Sequence, residues 1–362
     1  MLAPFARAAL AALLLVPVAP GLPLAAQAPA AATDSAAGPK TPPRPARVFR
    51  DSTPFAMSIT ADFKQVFKDR DTTSTKQFPA ILRYPGENGD TVQLDVQLAT
   101  RGHFRLKPST CSHPPLKVYF NKEQTKGGPF GGEGSLKIAT HCQRGENYAQ
   151  NTLIEYAINR MYAIMSPVAL KTRLATITWI DANDPKFTIT RPGFWIEDED
   201  EVGKQILGKV IMQQGGTPTD MNPKQMAITD VFQYMIANTD FSLWALHNFR
   251  IFATDTSMLY VPMAYDFDWS GLVSAPYARP DYRLPIKRVT DRLYRGACHP
   301  PELLAEVLGL YREKKDAIYG TLRSLPGLEP KRLKEATDFL DEFYKMIDDP
   351  GQVRREFGRV CS

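Results

Sequence analysis

TDVFQYMIANTDFSLWALHNFRIFATDTSMLYVPMAYDFDWSGLVSAPYARPD, residues 229–281 of a 362-residue chain, holds most of the chemistry that the sequence displays. Met226, Val231, Phe232 and Met235 fall on one apolar helical face over 224–238, and Asn222-Pro223 is a start signal just before it. A loop with Asp240 follows. A short strand begins near Asn248, and a second one, LYVPMAY, ends in Asp266-Phe267-Asp268. Phosphoryl transfer needs such parts: an Asp facing the acceptor hydroxyl, an Asn opening a short strand, and an Asp after the next strand for Mg²⁺. The cation takes hard oxygen ligands and neutralises charge developing on the transferred group. Singly, Asp240 also suits a turn, Asn248 a backbone-satisfying amide, and Asp266 and Asp268 a solvated strand end. Together, with Tyr265, Phe267 and Trp269 around a carboxylate that needs a partner, they point to a site. The roles expected are acceptor-side base for Asp240, metal ligands for Asn248 and Asp266, and a further metal or orienting carboxylate for Asp268.

Upstream, residues 54–120 alternate as strands do, in FAMSITADF, AILRYP, TVQLDVQLATRG and PPLKVYF. KGGPFGGEG (126–134), either a phosphate-covering loop or a plain flexible connection, leads into the strand SLKIATHC. An amphipathic helix spans about 148–165, and two strands, RLATITWID and FTITRPGFWIED, run into the acidic stretch Glu197 to Glu201. Lys137 in SLKIATHC and Glu155 on the helix have the order of a phosphate lysine and its orienting glutamate. Lys117 in PPLKVYF is the rival lysine. After 224–238 come a hairpin and closing helices over 300–324, 329–348 and 350–359. A strand-rich first half and a helix-rich second half predict an α+β protein of two lobes.

These segments resemble the atypical secreted kinases related to spore coat protein H, the CotH family. The likeness lies in the Asp240–Asp268 segment, in ATRGHFRLKPSTCSHPPLKVYF as an Arg-Gly turn before a Lys-bearing strand, in the strand and helix from Ser135 to Tyr162, and in the strand–turn–strand ending in the acidic stretch. It covers about residues 90–270. It implies a two-lobed protein-kinase-like fold, with a strand-rich N-terminal lobe (51–196) carrying one long helix and a mainly helical C-terminal lobe (197–362) carrying the acidic hairpin. It also implies ATP or another nucleotide with Mg²⁺ or Mn²⁺, and Glu197 beside the base. The sequence departs from the kinase pattern in several places: Asp240 and Asn248 are eight apart, D-F-D-W lacks the glycine of D-F-G, and KGGPFGGEG is not G-x-G-x-x-G.

The front of the chain reads as export. Arg7 precedes the apolar run Ala8 to Val18, and small residues follow, so 1–32 is expected to be a signal peptide and 33–50 an Ala/Pro-rich linker. No later stretch is apolar and long enough to be a membrane span. The expected location is therefore periplasmic or extracellular, where Cys111, Cys142, Cys298 and Cys361 would pair; the local pairings Cys111–Cys142 and Cys298–Cys361 are favoured. With 44 basic against 39 acidic residues, nothing marks nucleic acid as a partner. The absence of a Ser-nucleophile motif, HExxH and CxxC lowers ordinary hydrolases and metalloproteases. The function expected is transfer of the ATP γ-phosphate to a protein or other hydroxyl. The rivals are an inactive pseudokinase that acts as an envelope binding or scaffold protein, and a metal-dependent phosphoesterase.

Overall fold

The computed structural model describes residues 41–184 and 186–361; the expected signal and residues 33–40 of the linker lie outside them. In chain order the elements are β1 (Phe55–Ala61), α1 (Phe63–Val66), β2 (Phe78–Pro85), β3 (Thr91–Thr100), β4 (Leu116–Phe120), β5 (Ser135–Thr140), α2 (Glu146–Met165), β6 (Thr172–Asp181), β7 (Thr188–Ile196), α3 (Glu199–Gln205), β8 (Gly208–Ile211), α4 (Pro223–Met235), β9 (Phe249–Thr254), β10 (Ser257–Ala264), α5 (Pro301–Glu313), α6 (Lys315–Arg323), α7 (Pro330–Ile347) and α8 (Pro350–Phe357).

β1 pairs antiparallel with β2 and parallel with β6, where Ile59 lies opposite Trp179. The second pairing closes the sheet into a barrel in the order β1-β2-β3-β4-β5-β7-β6. This overturns the expectation of a two-lobed, protein-kinase-like fold. The described residues form a closed seven-stranded barrel, a separate three-stranded sheet in the order β10-β9-β8, and eight helices. The alternation in the sequence assigns each strand a buried and an outer face, but it does not say which strand the first one meets. Here β1 reaches across to β6, and closure leaves the sheet no free edge.

Side chains fill the barrel. Leu94, Val96, Leu116, Val118, Ile138, Ile177 and Trp179 point inward, each at alternate positions of its strand. Lys117 and Lys137, cross-strand partners, share the outer face. Phe63 and Val66 of α1 join the barrel core, as does Phe130, whose ring stacks on Phe120 at 4.7 Å. KGGPFGGEG is therefore an anchored connection held by Phe130. Val48, within a short 3₁₀ turn at Arg47–Phe49, is buried in the same core.

A second core joins α2, α4, the small sheet and the closing helices around Tyr162, Phe232, Phe249, Phe267, Tyr311 and Phe343. α2 is buried on most of its circumference, because it packs on both the barrel strands β5, β6 and β7 and on α6. Asn222 caps α4 by accepting from the Gln225 N–H at 3.0 Å, with Pro223 at the first helical position. The expected helix 300–324 breaks at Lys314 into α5 and α6. Both favoured disulfides form: Cys111–Cys142, with Cα atoms 4.6 Å apart, and Cys298–Cys361, at 4.9 Å. Among the described residues no helix is long and apolar enough to cross a membrane.

Candidate active site

Between the outer wall of the barrel and the small sheet lies a cavity of about 640 Å³. Lys137 of β5, Glu155 of α2, Asp240 and Asn248 of the loop before β9, and Asp266 and Asp268 after β10 all line it. Local structure brings them there. β9 and β10 pair with Phe249 opposite Ala264, and the Tyr265 N–H then donates to the Asn248 carbonyl at 3.1 Å, so Asp266 follows directly beside Asn248. Phe267 is buried against Tyr162 and Phe232, with ring centroids 5.7 and 5.6 Å away, which fixes the two flanking aspartates. The Ala264 N–H donates to the Tyr162 hydroxyl at 3.1 Å. Gly271 allows the chain after Asp268 to press on the end of α4: a Cβ there would lie 2.5 Å from the Val289 carbonyl oxygen and 2.8 Å from the Ala237 Cβ.

Asp240 is the centre of one hydrogen-bonded group. Its Oδ1 meets His247 Nε2 at 2.9 Å, and its Oδ2 accepts from Asn248 Nδ2 at 3.1 Å. The same amide nitrogen donates to the Asp240 carbonyl at 2.7 Å. That leaves the Asn248 amide oxygen as its remaining acceptor. The bond to Asp240 raises the His247 pKa above its ordinary value, against burial. Leu246, Asn248 and Asp266, all in the cavity wall, have φ of 51°, 53° and 59°. Asn and Asp tolerate this left-handed region and Leu does so poorly, so backbone strain gathers at this wall.

On the opposite wall, Lys137 pairs with Glu199 of α3, and Arg250 of β9 approaches the same carboxylate at 3.3 Å. Burial opposes the Glu199 charge, yet Lys137 and Arg250 hold its pKa below the ordinary range. Glu155 instead faces Arg105, 3.9 Å away, and Arg105 also lies 3.7 Å from Asp268. Asp268 accepts from the Tyr277 hydroxyl at 2.8 Å. Burial, with the Asp266 charge nearby, pushes both Asp268 and Glu155 well above the usual carboxylate range, and Arg105 opposes it.

Two expected residues stand outside the cavity wall. Lys117 lies on the outer barrel face with its ammonium 5.3 Å from the Tyr119 ring centroid. Glu197 is buried: it accepts from the Lys171 N–H at 3.0 Å and from the Gln205 amide at 2.6 Å, tying β7 to the start of β6. The residues that sequence reasoning passed over are Glu199, Arg250, Arg101, Arg105 and Tyr277. Glu199 was hidden in the acidic stretch, which as a run reads as a solvated edge. The Arg-Gly turn was the available signal for Arg101 and Arg105, since Gly102 takes φ of 90° and turns the chain there. The Cys111–Cys142 bridge and a 2.8 Å bond from Arg105 to the Thr140 carbonyl hold that loop on β5. Among the described residues no three His, Cys, Asp or Glu side chains are grouped so as to hold a metal ion. Compared with known proteins, the chain matches no family model and no curated protein.

Proposed function

We propose that the chain is an exported phosphotransferase that moves the γ-phosphate of ATP to a hydroxyl, with Mg²⁺ or Mn²⁺, and that its resemblance to the CotH family lies in this site chemistry. The observation that carries the reading is the meeting, in one cavity, of the Asp240–His247–Asn248 group, the Asp266 carboxylate and the Lys137–Glu199 pair. Lys137, oriented by Glu199, would neutralise ATP phosphates, with Arg101 and Arg250 adding positive charge on the same walls. Asp240, oriented by His247 and Asn248, would accept the proton of the attacking hydroxyl. Asp266 and the Asn248 amide oxygen are hard donors of the kind Mg²⁺ takes alongside phosphate oxygens, and they would hold it. The ion, when bound, neutralises charge on the group in transfer. Asp268, engaged by Tyr277 and Arg105, would position the loop around Asp266. The two disulfides support export.

Thermal denaturation with and without ATP and Mg²⁺ tests the binding half of this reading. A ligand that binds only the folded state raises its melting temperature, and the rise grows with the logarithm of free ligand concentration above Kd. The wild type is expected to rise and Lys137→Met to lose the rise. A wild type that ignores every nucleotide overturns the proposal, and a protein that binds ATP without transferring phosphate is the scaffold.

A further inference from the structure

A second cavity, of about 860 Å³, adjoins the first and shares Asp240, His247 and Trp269 with it. Its lining carries a net positive charge. Arg279, Arg283 and Arg295 line it, and the carboxylates on its wall are Asp240 and Asp281. Arg283 is paired with Asp281 at 2.5 Å, and Asp240 is engaged by His247. Arg279 donates to the backbone carbonyls of Pro276 and Ala278, at 3.0 and 2.6 Å. Arg295 donates to those of Thr239 and Phe241. Carbonyl acceptors aim a guanidinium but do not neutralise its charge; Arg295 also feels the Asp281 and Asp240 carboxylates, so three arginines set against two aspartates leave this wall net positive. Tyr282, 93% exposed, stands at its wall beside Leu284, which provides apolar surface between the charges.

We propose that this cavity seats the phosphate acceptor and that the acceptor is an acidic peptide: its hydroxyl side chain reaches Asp240 while flanking Asp or Glu residues meet Arg279, Arg283 and Arg295. This rests on the phosphotransfer reading of the adjoining cavity. The size lies in the upper part of the roughly 300–1,000 Å³ that binding pockets span. Cations supplied from two separate segments, 279–283 and 295, suit an extended anion better than a single ionic group. In the step itself the acceptor oxygen bonds to the γ-phosphorus as its proton passes to Asp240. The bond from that phosphorus to the bridging oxygen breaks, and ADP leaves with the electron pair.

The test is fluorescence anisotropy on the full chain with three labelled serine peptides whose flanks are acidic, neutral or basic. The acidic peptide is expected to bind about tenfold tighter or more than the others, and to weaken between about 50 mM and about 300 mM salt, as charge-steered binding does. Arg279→Glu with Arg283→Glu, both on exposed side chains, is expected to remove that preference, with the melting temperature recorded to show that the variant folds. Equal binding of the three peptides to the wild type overturns the proposal whatever ATP does. Acidic-peptide selectivity in a protein that binds no nucleotide would keep the acidic occupant and overturn the phosphotransfer reading instead.

Discussion

Asp240 makes three hydrogen bonds with two partners: the His247 ring and the Asn248 amide on its carboxylate, and the same amide again on its carbonyl. The His247 pKa, raised by Asp240 from the ordinary 6.5, reports on this arrangement. An NMR titration should find it above 6.5 in the wild type and lowered in Asp240→Asn; no change between the two would dissolve the group. Because its folded pKa is raised, the imidazolium's stabilisation is complete at pH below the unfolded value and is lost as pH rises through the folded one. Glu155 works in the other direction. Burial raises its pKa, so the folded state holds a proton that the unfolded state releases, and stability falls as pH climbs above about 4.3. Glu155→Gln removes that penalty. Its melting temperature should come closest to the wild type near pH 4 and exceed it increasingly toward pH 8, whereas a gap independent of pH would contradict the assignment.

At the scale of elements, the segment after Asp268 depends on close backbone approach. Gly271→Ala would force a Cβ into the Val289 carbonyl, and it should cost about 1–3 kcal/mol in urea denaturation. Replacing Cys111 and Cys142 together by Ser opens a link across 31 residues and should cost about 3–4 kcal/mol by loop entropy, with the Arg101–Arg105 loop loosened as well. An unchanged urea midpoint in either variant would show that these contacts do not hold the cavity wall. Most elements were legible from alternation and helical spacing, because those patterns are local. β6, β7, α2, α4 and the β9–β10 hairpin sit close to where periodicity put them. The four-residue β8 and the one-turn α1 were too short to leave a period. α3 was hidden because consecutive acids do not reveal which one turns inward; Glu199 does, while Asp200 stays exposed.

For the whole molecule, the strands that looked like a kinase lobe close into a barrel because β1 pairs with β6 across a separation that no local pattern records. Six of the chemistry-bearing residues singled out in the sequence nonetheless line one cavity, since short contiguous segments carry them and β9–β10, α2 and β5 all border the same space. The lysine's partner was the weaker inference. Sequence order favoured Glu155, but that carboxylate lies opposite Arg105, and only the fold brings Glu199 to Lys137. Transfer of labelled γ-phosphate from ATP to an acceptor, compared among the wild type, Asp240→Asn and Asp266→Ala, is the most direct test of the central claim. Transfer should need Mg²⁺ or Mn²⁺ in the wild type and fall by about 100-fold or more in each variant. Transfer that survives both substitutions, or a folded wild type that transfers nothing, would contradict it.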